Sequence, residues 1–474
     1  ADIDKAPRTA QGRVECASEF VLLRPLDAAR GNGIAILDVV NRGNPQLLPA
    51  FNFATGSGNP TTEPEFGDGF LLRAGYTLVA IGWEASPTGP VVHHPPIATD
   101  DGRPIIGWVS NWFVAPPGAK SFDLTSAYWT GLRPYPPLDP SDPEAQLTKR
   151  QGFFGTPRTV PRARWKFGRV VEGAFVDDTR HVFVEDGLEG GYTYEVRYKT
   201  RDPRVPTGLA AIRDTASLLK HGADPSLRAR HVVAYGASQT GRFLRAFLHE
   251  GYTSDEQGRQ VIDAYWIHIG GASLGSFNER FVQASEGGFF TTSRFPFLYE
   301  VTKDPATGKE DGLGARVPPG LHPKVFFVDS SNEYWDRGRV TALNHVTLDG
   351  RSDATLPGNV RFYHVAGTQH SPGTFPPAAD PLRQLATNVL DQRPIMRALL
   401  ASLERWIRTG ASPPASRHPT IASGSLVAQR DIRFAAIRGV QWPYDVLGGF
   451  RSDLPGGLKA HPLPFLVPQV DGDG

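Results

Sequence analysis

The chain has 474 residues, of which 40% are apolar and 21% are charged, a composition typical of a globular protein. Its 50 lysine and arginine residues balance 49 aspartate and glutamate residues, and this excludes a general electrostatic attraction to nucleic acid or an anionic membrane. No apolar run reaches the roughly 18 residues that a membrane-spanning helix needs, so we expect no membrane span.

Metal and redox chemistry find little support in the sequence. Cys16 is the single cysteine, which excludes an intrachain disulfide, a cysteine-based zinc site and a two-cysteine redox centre. No matched ligands accompany the pair His93 and His94. We therefore expect no metal and no other cofactor. Ala1 in place of methionine is compatible with removal of an export signal or with trimming, so an exported and a cytoplasmic protein both stay open.

The first 85 residues predict β-structure with one helix. Apolar runs at 20–24 and 33–40 predict two strands of a β-rich N-terminal part, and residues 66–72 predict the beginning of a helix that ends near Ala74 and Gly75. The continuous apolar run 76–81 is typical of a strand that is covered on both faces of a sheet.

Irregular, proline-rich sequence follows from residue 87 to 189 and predicts an insertion between core strands. Short β runs at 105–109, 170–175 and 181–184 alternate with loops in it. Whether the insertion moves as a lid stays open. Its aromatic side chains are compatible either with an apolar substrate pocket or with the core of the insertion. These residues are Trp108, Trp112, Phe113, Trp129 and Tyr135.

The central feature of the chain is a strand, a tight turn and a helix in direct succession. The strand 231–235 leads into Gly236-Ala237-Ser238-Gln239-Thr240-Gly241, and a helix with apolar residues at helical spacing follows. A serine at the apex of such a turn is typical of a nucleophile elbow. The strain of this turn requires small residues two positions before and after the serine. Gly236 meets that requirement, and Thr240 meets it only loosely.

An oxyanion would form above the N-terminus of this helix, where the helix dipole favours negative charge. The backbone N–H of Gln239 is one expected donor, and that of Trp83 or Glu84 is the other if strand 76–81 neighbours the nucleophile strand. Packing of Trp83 in the core is the alternative. The only literal G-x-S-x-G, at 271–275, contains Ser273, but no amphipathic helix follows it directly, so we favour Ser238.

A serine nucleophile needs a base and an acid, which in this kind of fold follow it in the order acid, then histidine. Strands 324–328 and 360–366 both end in polar loops, and open α/β sheets bind ligands at such strand ends. His370 in the second loop is the favoured base. His345 is the reserve, and His364 lies within the strand and is expected to be structural.

The acid lies in the loop after strand 324–328. Glu333 is favoured because it lies well into the loop, Asp329 is the reserve because it abuts the strand, and Asp336 is the weaker alternative. A late helix at 394–409 precedes a proline-rich tail, 413–474, that is expected to wrap the surface. The alternation of strands and helices predicts one α/β domain over residues 1–474, with a mostly parallel sheet and helices on both faces.

Together these segments resemble a group of large α/β-hydrolase-domain proteins found mostly in bacteria and fungi. The resemblance covers most of the chain and rests on residues 39–43, 67–72, 82–83, 235–244, 332–335, 367–370 and 397–400. It implies an α/β-hydrolase fold, Ser238 as the nucleophile of a serine esterase, and Glu333 as the acid in preference to Asp329. It also implies export for many members but names no substrate. The chain has Ser-Asn-Glu at the acid where Ser-Glu or Thr-Glu is more usual.

Our hypothesis from the sequence is a cofactor-independent hydrolase of small carboxylic esters or lactones, with a Ser238–His370–Glu333 triad. The rivals are a scaffold that binds a ligand without turnover, and the same triad used for acyl transfer, polyester cleavage or peptide hydrolysis. The sequence leaves the oligomeric state open.

Overall fold

The computed structural model describes residues 1–85, 87–124, 134–152, 155–283, 292–336, 339–377, 385–438, 449–455 and 460–470. The chain divides into two compact units. The first consists of Ala1–Glu19, Gly82–Ala211 and Ser276–Phe290, and the second of Phe20–Ile81, Ile212–Gly275 and Thr291–Gly474. The segment 87–189 falls within the first unit, while the organisation of residues 1–474 as one domain with an insertion stays a prediction.

A seven-stranded sheet forms the centre of the second unit. Its strands are β1 (Phe20–Leu23), β2 (Ile34–Val39), β3 (Thr77–Ile81), β4 (His231–Ala237), β5 (Ala264–His268), β6 (Lys324–Ser330) and β7 (Val360–Val365). The spatial order is β1-β3-β2-β4-β5-β6-β7, in which β1 runs antiparallel to β3 and the other neighbours are parallel. The two N-terminal strands therefore belong to the central sheet.

Helices cover both faces of this sheet. The α-helices of the described residues are α1 (Leu47–Phe51), α2 (Glu63–Phe66), α3 (Phe70–Arg73), α4 (Gly208–His221), α5 (Gln239–His249), α6 (Ser331–Trp335) and α7 (Arg393–Thr409). On one face, α1 and α7 share an apolar core with alternate residues of the strands, including Tyr235 and Trp266. On the other face, Phe247 of α5 packs against Tyr265 of β5, with ring centroids 6.1 Å apart.

Two elements differ from the sequence prediction. The single helix predicted from residue 66 to near Ala74 and Gly75 is two short helices, α2 and α3, because Gly67 and Gly69 between them have φ values of 62° and 69°. Its predicted end agrees with that of α3, which has Ala74 as its C-cap. The range 170–175, which was predicted as one strand, spans the turn of a β-hairpin in which Trp165–Val171 pairs with Ala174–Val184. Apolar residues on both sides of a tight turn gave the appearance of one continuous strand.

The first unit contains antiparallel sheets. Its strands are Ala17–Ser18, His93–His94, Thr99–Asp100, Arg103–Pro104, Ile106–Val114, Ser121–Asp123, Gln146–Gln151, Arg158–Val160, Trp165–Val171, Ala174–Val184 and Tyr192–Arg201. Phe113 and Tyr135 are buried in the core of this unit, whereas Trp108 is 38% exposed. Trp112 packs under the guanidinium of Arg150, and Trp129 lies outside the described residues.

Short elements complete the chain. Further strands are Thr292–Ser293, Thr302–Lys303, Glu310–Asp311, Leu426–Ala428, Phe450–Arg451 and Leu466–Pro468, and 3-10 helices are Ile3–Lys5, Ala28–Arg30, Arg162–Arg164, Thr341–Asn344 and Gln429–Asp431. Over the described ranges, no helix combines the length and apolarity needed to cross a membrane.

Candidate active site

Ser238 lies at the turn between β4 and α5. Its backbone has φ 61° and ψ −112°, a conformation that non-glycine residues rarely adopt. The turn is tight, because a Cβ atom on Gly236 would lie 2.4 Å from the carbonyl oxygen of Thr240. The strained serine and the glycine two residues before it match the elbow that the sequence predicts.

Thr240 braces this turn with its hydroxyl group. Its Oγ1 accepts a hydrogen bond from the N–H of Ala237 at 2.9 Å and donates to the carbonyl of the same residue at 3.1 Å. Asn41 Nδ2 also donates to that carbonyl at 2.9 Å. A threonine at this position therefore fits the elbow and adds hydrogen bonds that a glycine would lack.

The ring of His370 lies between Ser238 and Glu333. His370 is in the loop after β7, and its Nε2 is 3.0 Å from Ser238 Oγ. The other ring nitrogen, Nδ1, is 2.5 Å from Glu333 Oε1. The structure therefore brings together the three side chains named from the sequence, although they come from three separate strand ends.

Glu333 is held in place by the start of α6. It forms a capping box with Ser330, whose N–H donates to Glu333 Oε2 at 2.9 Å and whose hydroxyl donates to the same oxygen. Burial opposes ionisation of the carboxyl group, but His370, Arg339 and the Ser330 hydroxyl outweigh it and lower the pKa of Glu333. The buried acid is thus a carboxylate that accepts from the histidine.

The two rival carboxyl groups have other partners. Asp329 is buried at the end of β6 and accepts from the N–H of Gly271 at 3.4 Å. Burial, and then the negative charge of Glu333, raise the pKa of Asp329. Asp336 pairs with Arg339, Oδ2 to Nε at 2.8 Å. Neither carboxyl group has a described hydrogen bond to the ring of His370.

The rival histidines and serine also lie elsewhere. His345 is fully buried, with its Nε2 2.7 Å from the hydroxyl of Tyr334, and burial together with His418 lowers its pKa well below the usual range. His364 Nε2 lies 3.0 Å from Ser331 Oγ. Ser273 is buried in the literal G-x-S-x-G segment and donates to the carbonyl of Leu274 at 3.0 Å.

The two expected oxyanion donors lie in different units. Gln239 is the first residue of α5, directly after Ser238, and its side-chain Oε1 accepts from the N–H of Arg42 at 3.3 Å. Trp83 belongs to the first unit, where it is buried and packs edge-on against Phe277. The strand before Trp83, β3, does not neighbour the nucleophile strand β4, because β2 lies between them. The condition on which the sequence predicts Trp83 or Glu84 as a donor is therefore not met, and the oxyanion role of Gln239 stays a prediction.

Arg339 is a site residue that the sequence did not indicate. Its Nη2 donates to Ser238 Oγ at 3.4 Å, and its side chain is buried. The residue lies 101 positions from the serine, in an irregular polar segment with no periodicity or motif. No sequence signal that we used could have found it.

The described residues contain no group of three or more histidine, cysteine, aspartate and glutamate side chains that could hold a metal ion.

Comparison with known proteins supplies the family. A family model described as an alpha/beta hydrolase domain matches residues 186–448, more than half of the chain, and this range includes Ser238, Glu333 and His370. The chain belongs to the alpha/beta hydrolase domain family. Membership in this family indicates a hydrolase, in agreement with the mostly parallel sheet of the second unit. Searches of curated proteins and of solved structures found no match.

Proposed function

We propose that this alpha/beta hydrolase cleaves small carboxylic esters or lactones through an acyl-enzyme on Ser238. The observation that carries the proposal is the pair of short contacts of His370, 3.0 Å to Ser238 Oγ and 2.5 Å to Glu333 Oε1. A serine hydroxyl is a weak nucleophile near neutral pH, and an oriented imidazole supplies the base that it lacks.

In this mechanism, Nε2 of His370 takes the proton of Ser238 while Oγ forms a bond to the acyl carbon. The carbonyl electron pair moves to oxygen, where the N–H of Gln239 at the start of α5 stabilises the charge. The bond to the alcohol oxygen then breaks, and that oxygen takes the proton from His370. Water repeats the sequence on the acyl-enzyme and releases the acid and free Ser238. Glu333 holds the imidazole and balances its positive charge.

The test is a screen of ester and lactone substrates with the wild type, Ser238→Ala and Ser273→Ala. We expect Ser238→Ala to lower kcat by roughly 10⁴–10⁶-fold, as in other serine hydrolases that lose the nucleophile. Ser273→Ala is the matched control, because that serine is buried and bonded to Leu274. It should keep kcat within about threefold of wild type, which is a change in activation free energy of under 1 kcal/mol.

A fluorophosphonate probe separates the remaining alternatives. Labelling of the wild type and Ser273→Ala but not Ser238→Ala supports the proposal. Absence of both turnover and labelling in the wild type would favour a binding scaffold. Labelling with a transferred acyl group among the products would assign the same triad to acyl transfer, and activity on polyesters or peptides alone would change the substrate class.

A further inference from the structure

Arg339 touches the oxygen that the proposed function makes the nucleophile. Its Nη2 donates to Ser238 Oγ at 3.4 Å, on a side chain that is only 5% exposed. Among the described residues, the serine oxygen is contacted by His370 Nε2 at 3.0 Å and by this guanidinium. Imidazole can remove the proton, whereas a guanidinium cannot be deprotonated and can only stabilise negative charge.

The remaining guanidinium nitrogens are tied down on the other side. Nε donates to Asp336 Oδ2 at 2.8 Å, and Nη1 donates to the carbonyl of Ile269 at 2.6 Å. A planar fork held at two points leaves little freedom for the third. Nη2 is therefore directed at Ser238 by the rest of the group and not by the serine alone.

The backbone around Arg339 is strained in a way that serves this placement. Ile269 and Val340 have φ values of 43° and 42°, which are outliers for β-branched residues. Ile269 supplies the carbonyl that holds Nη1, and Val340 directly follows Arg339 in the chain. Such strain persists where the surrounding structure enforces it and clusters at functional sites.

The loop after β5 closes around the same residue. The N–H of Ala272 donates to the carbonyl of Arg339 at 2.7 Å. Gly271 has φ 67°, and a Cβ atom there would lie 2.5 Å from that carbonyl oxygen. Contacts to both the main chain and the side chain thus fix the position of the guanidinium.

We propose that Arg339 is a catalytic residue that stabilises the negative charge on Ser238 Oγ in the steps where the Oγ–acyl bond forms and breaks. The inference rests on the proposed function and adds a third interaction to it. While His370 takes the proton, charge grows on Oγ, and the guanidinium meets that charge with a preformed N–H. The same contact acts again in deacylation, when the Oγ–acyl bond breaks and Oγ recovers its proton from His370.

The experiment compares wild type, Arg339→Met and Arg339→Lys on p-nitrophenyl acetate. We expect Arg339→Met to lower kcat by roughly 10²–10³-fold, the range for loss of one electrostatic donor, with KM within about threefold of wild type. Labelling by the fluorophosphonate probe should slow in parallel, because it uses the same attack by Oγ. Arg339→Lys keeps a charge but cannot span all three partners, so its kcat should fall by about tenfold.

Arg451→Met is the control for loss of a buried, ion-paired arginine, because Arg451 bonds to Asp304 and Asp453. It should lose stability and keep its kcat. A kcat of Arg339→Met within threefold of wild type, or a loss no larger than that of Arg451→Met, overturns the inference. If Arg339→Met does not fold, a folded Arg339→Lys with wild-type kcat overturns it and a tenfold loss supports it.

The two proposals fail in different ways. If the wild type shows neither ester turnover nor labelling, the proposed function itself is wrong. If ester turnover depends on Ser238 but not on Arg339, only this inference is wrong.

Discussion

Glu333 and Asp329 are two buried carboxyl groups only four positions apart, and their surroundings give them opposite chemistry. Glu333 accepts from His370 and Ser330, and its pKa is lowered in spite of its burial. Asp329 accepts a long hydrogen bond from the N–H of Gly271, and burial raises its pKa. A carboxylate that orients a histidine must be ionised and in contact with it, and Glu333 alone meets both conditions.

We predict from this contrast that Glu333→Gln and Asp329→Asn differ strongly in activity. A glutamine amide at position 333 would favour the wrong tautomer of His370, so kcat should fall by roughly 10³–10⁴-fold. Asparagine at 329 keeps a side-chain oxygen that accepts from the N–H of Gly271. It replaces a carboxyl group whose ionised form burial already disfavours. It should keep kcat within about threefold, a difference under 1 kcal/mol. An equal loss in both variants, measured by steady-state kinetics on folded protein, would contradict the assignment of Glu333.

At this scale the sequence predicted residues whose positions follow from chain order. Glu333 and His370 each follow an apolar strand, and parallel strands bring such loops to one edge of the sheet. The sequence could not predict Arg339 or the bracing role of Thr240, because both depend on side-chain directions within an irregular backbone. The left-handed conformations of Ile269 and Val340 have no signature in residue type, since β-branched residues normally avoid them.

At the scale of elements, the elbow requires close contact between the end of β4 and the first turn of α5. We predict that Gly236→Ala lowers both stability and activity, because the new Cβ atom would lie 2.4 Å from the carbonyl oxygen of Thr240. Overpacking of this kind typically costs about 1–3 kcal/mol, and any backbone shift that relieves it would move Ser238.

The matched control is Gly358→Ala, since a Cβ atom at Gly358 would have no atom within 4 Å. This variant should change the free energy of unfolding by under about 0.5 kcal/mol. Urea unfolding and ester turnover measure both effects. Equal behaviour of the two alanine variants would show that the elbow is looser than its geometry indicates.

Elements buried on both faces of the central sheet were the most predictable part of the fold. The runs 231–235 and 324–328 fall within β4 (His231–Ala237) and β6 (Lys324–Ser330), because continuous apolar residues indicate such strands without further context. Apolar segments that are interrupted by a glycine with positive φ were predicted poorly. Gly67, Gly69 and Gly173 all have positive φ and interrupt apolar patterns that otherwise suggest a single element.

At the scale of the whole molecule, the described parts of the C-terminal segment 413–474 contact the rest of the second unit at several separate points. The backbone of Arg417 forms an isolated parallel β-bridge with Tyr363 of β7, and the ring of Phe465 packs edge-on against Trp335. Phe450–Arg451 pairs in parallel with Thr292–Ser293. Arg451 in this segment also forms a buried, two-point ion pair with Asp304, with distances of 3.0 and 2.9 Å.

This ion pair makes the stability of the protein depend on pH in acid. The hydrogen bonds from Arg451 lower the pKa of Asp304 to about 2. A carboxyl group whose pKa is lower in the folded than in the unfolded chain stabilises the fold above its unfolded pKa, near 4, and loses that contribution as pH falls towards 2. A pKa of about 2 in the folded chain corresponds to roughly 2–3 kcal/mol of stability at neutral pH.

We therefore predict that Asp304→Asn destabilises the protein by about 2–3 kcal/mol at pH 7, because the guanidinium of Arg451 loses its buried charge partner and keeps the ion pair with Asp453. The difference from wild type should shrink by roughly 2 kcal/mol between pH 5 and pH 2, as Asp304 becomes protonated in the wild type. Urea unfolding at a series of pH values measures it. Asp431→Asn is the control, because this exposed carboxylate lies 3.8 Å from the exposed guanidinium of Arg430, a distance at which an ion pair contributes little. It should change the free energy of unfolding by under about 0.5 kcal/mol at every pH. A difference between wild type and Asp304→Asn that stays constant from pH 5 to pH 2 would show that the ion pair does not lower the pKa of Asp304.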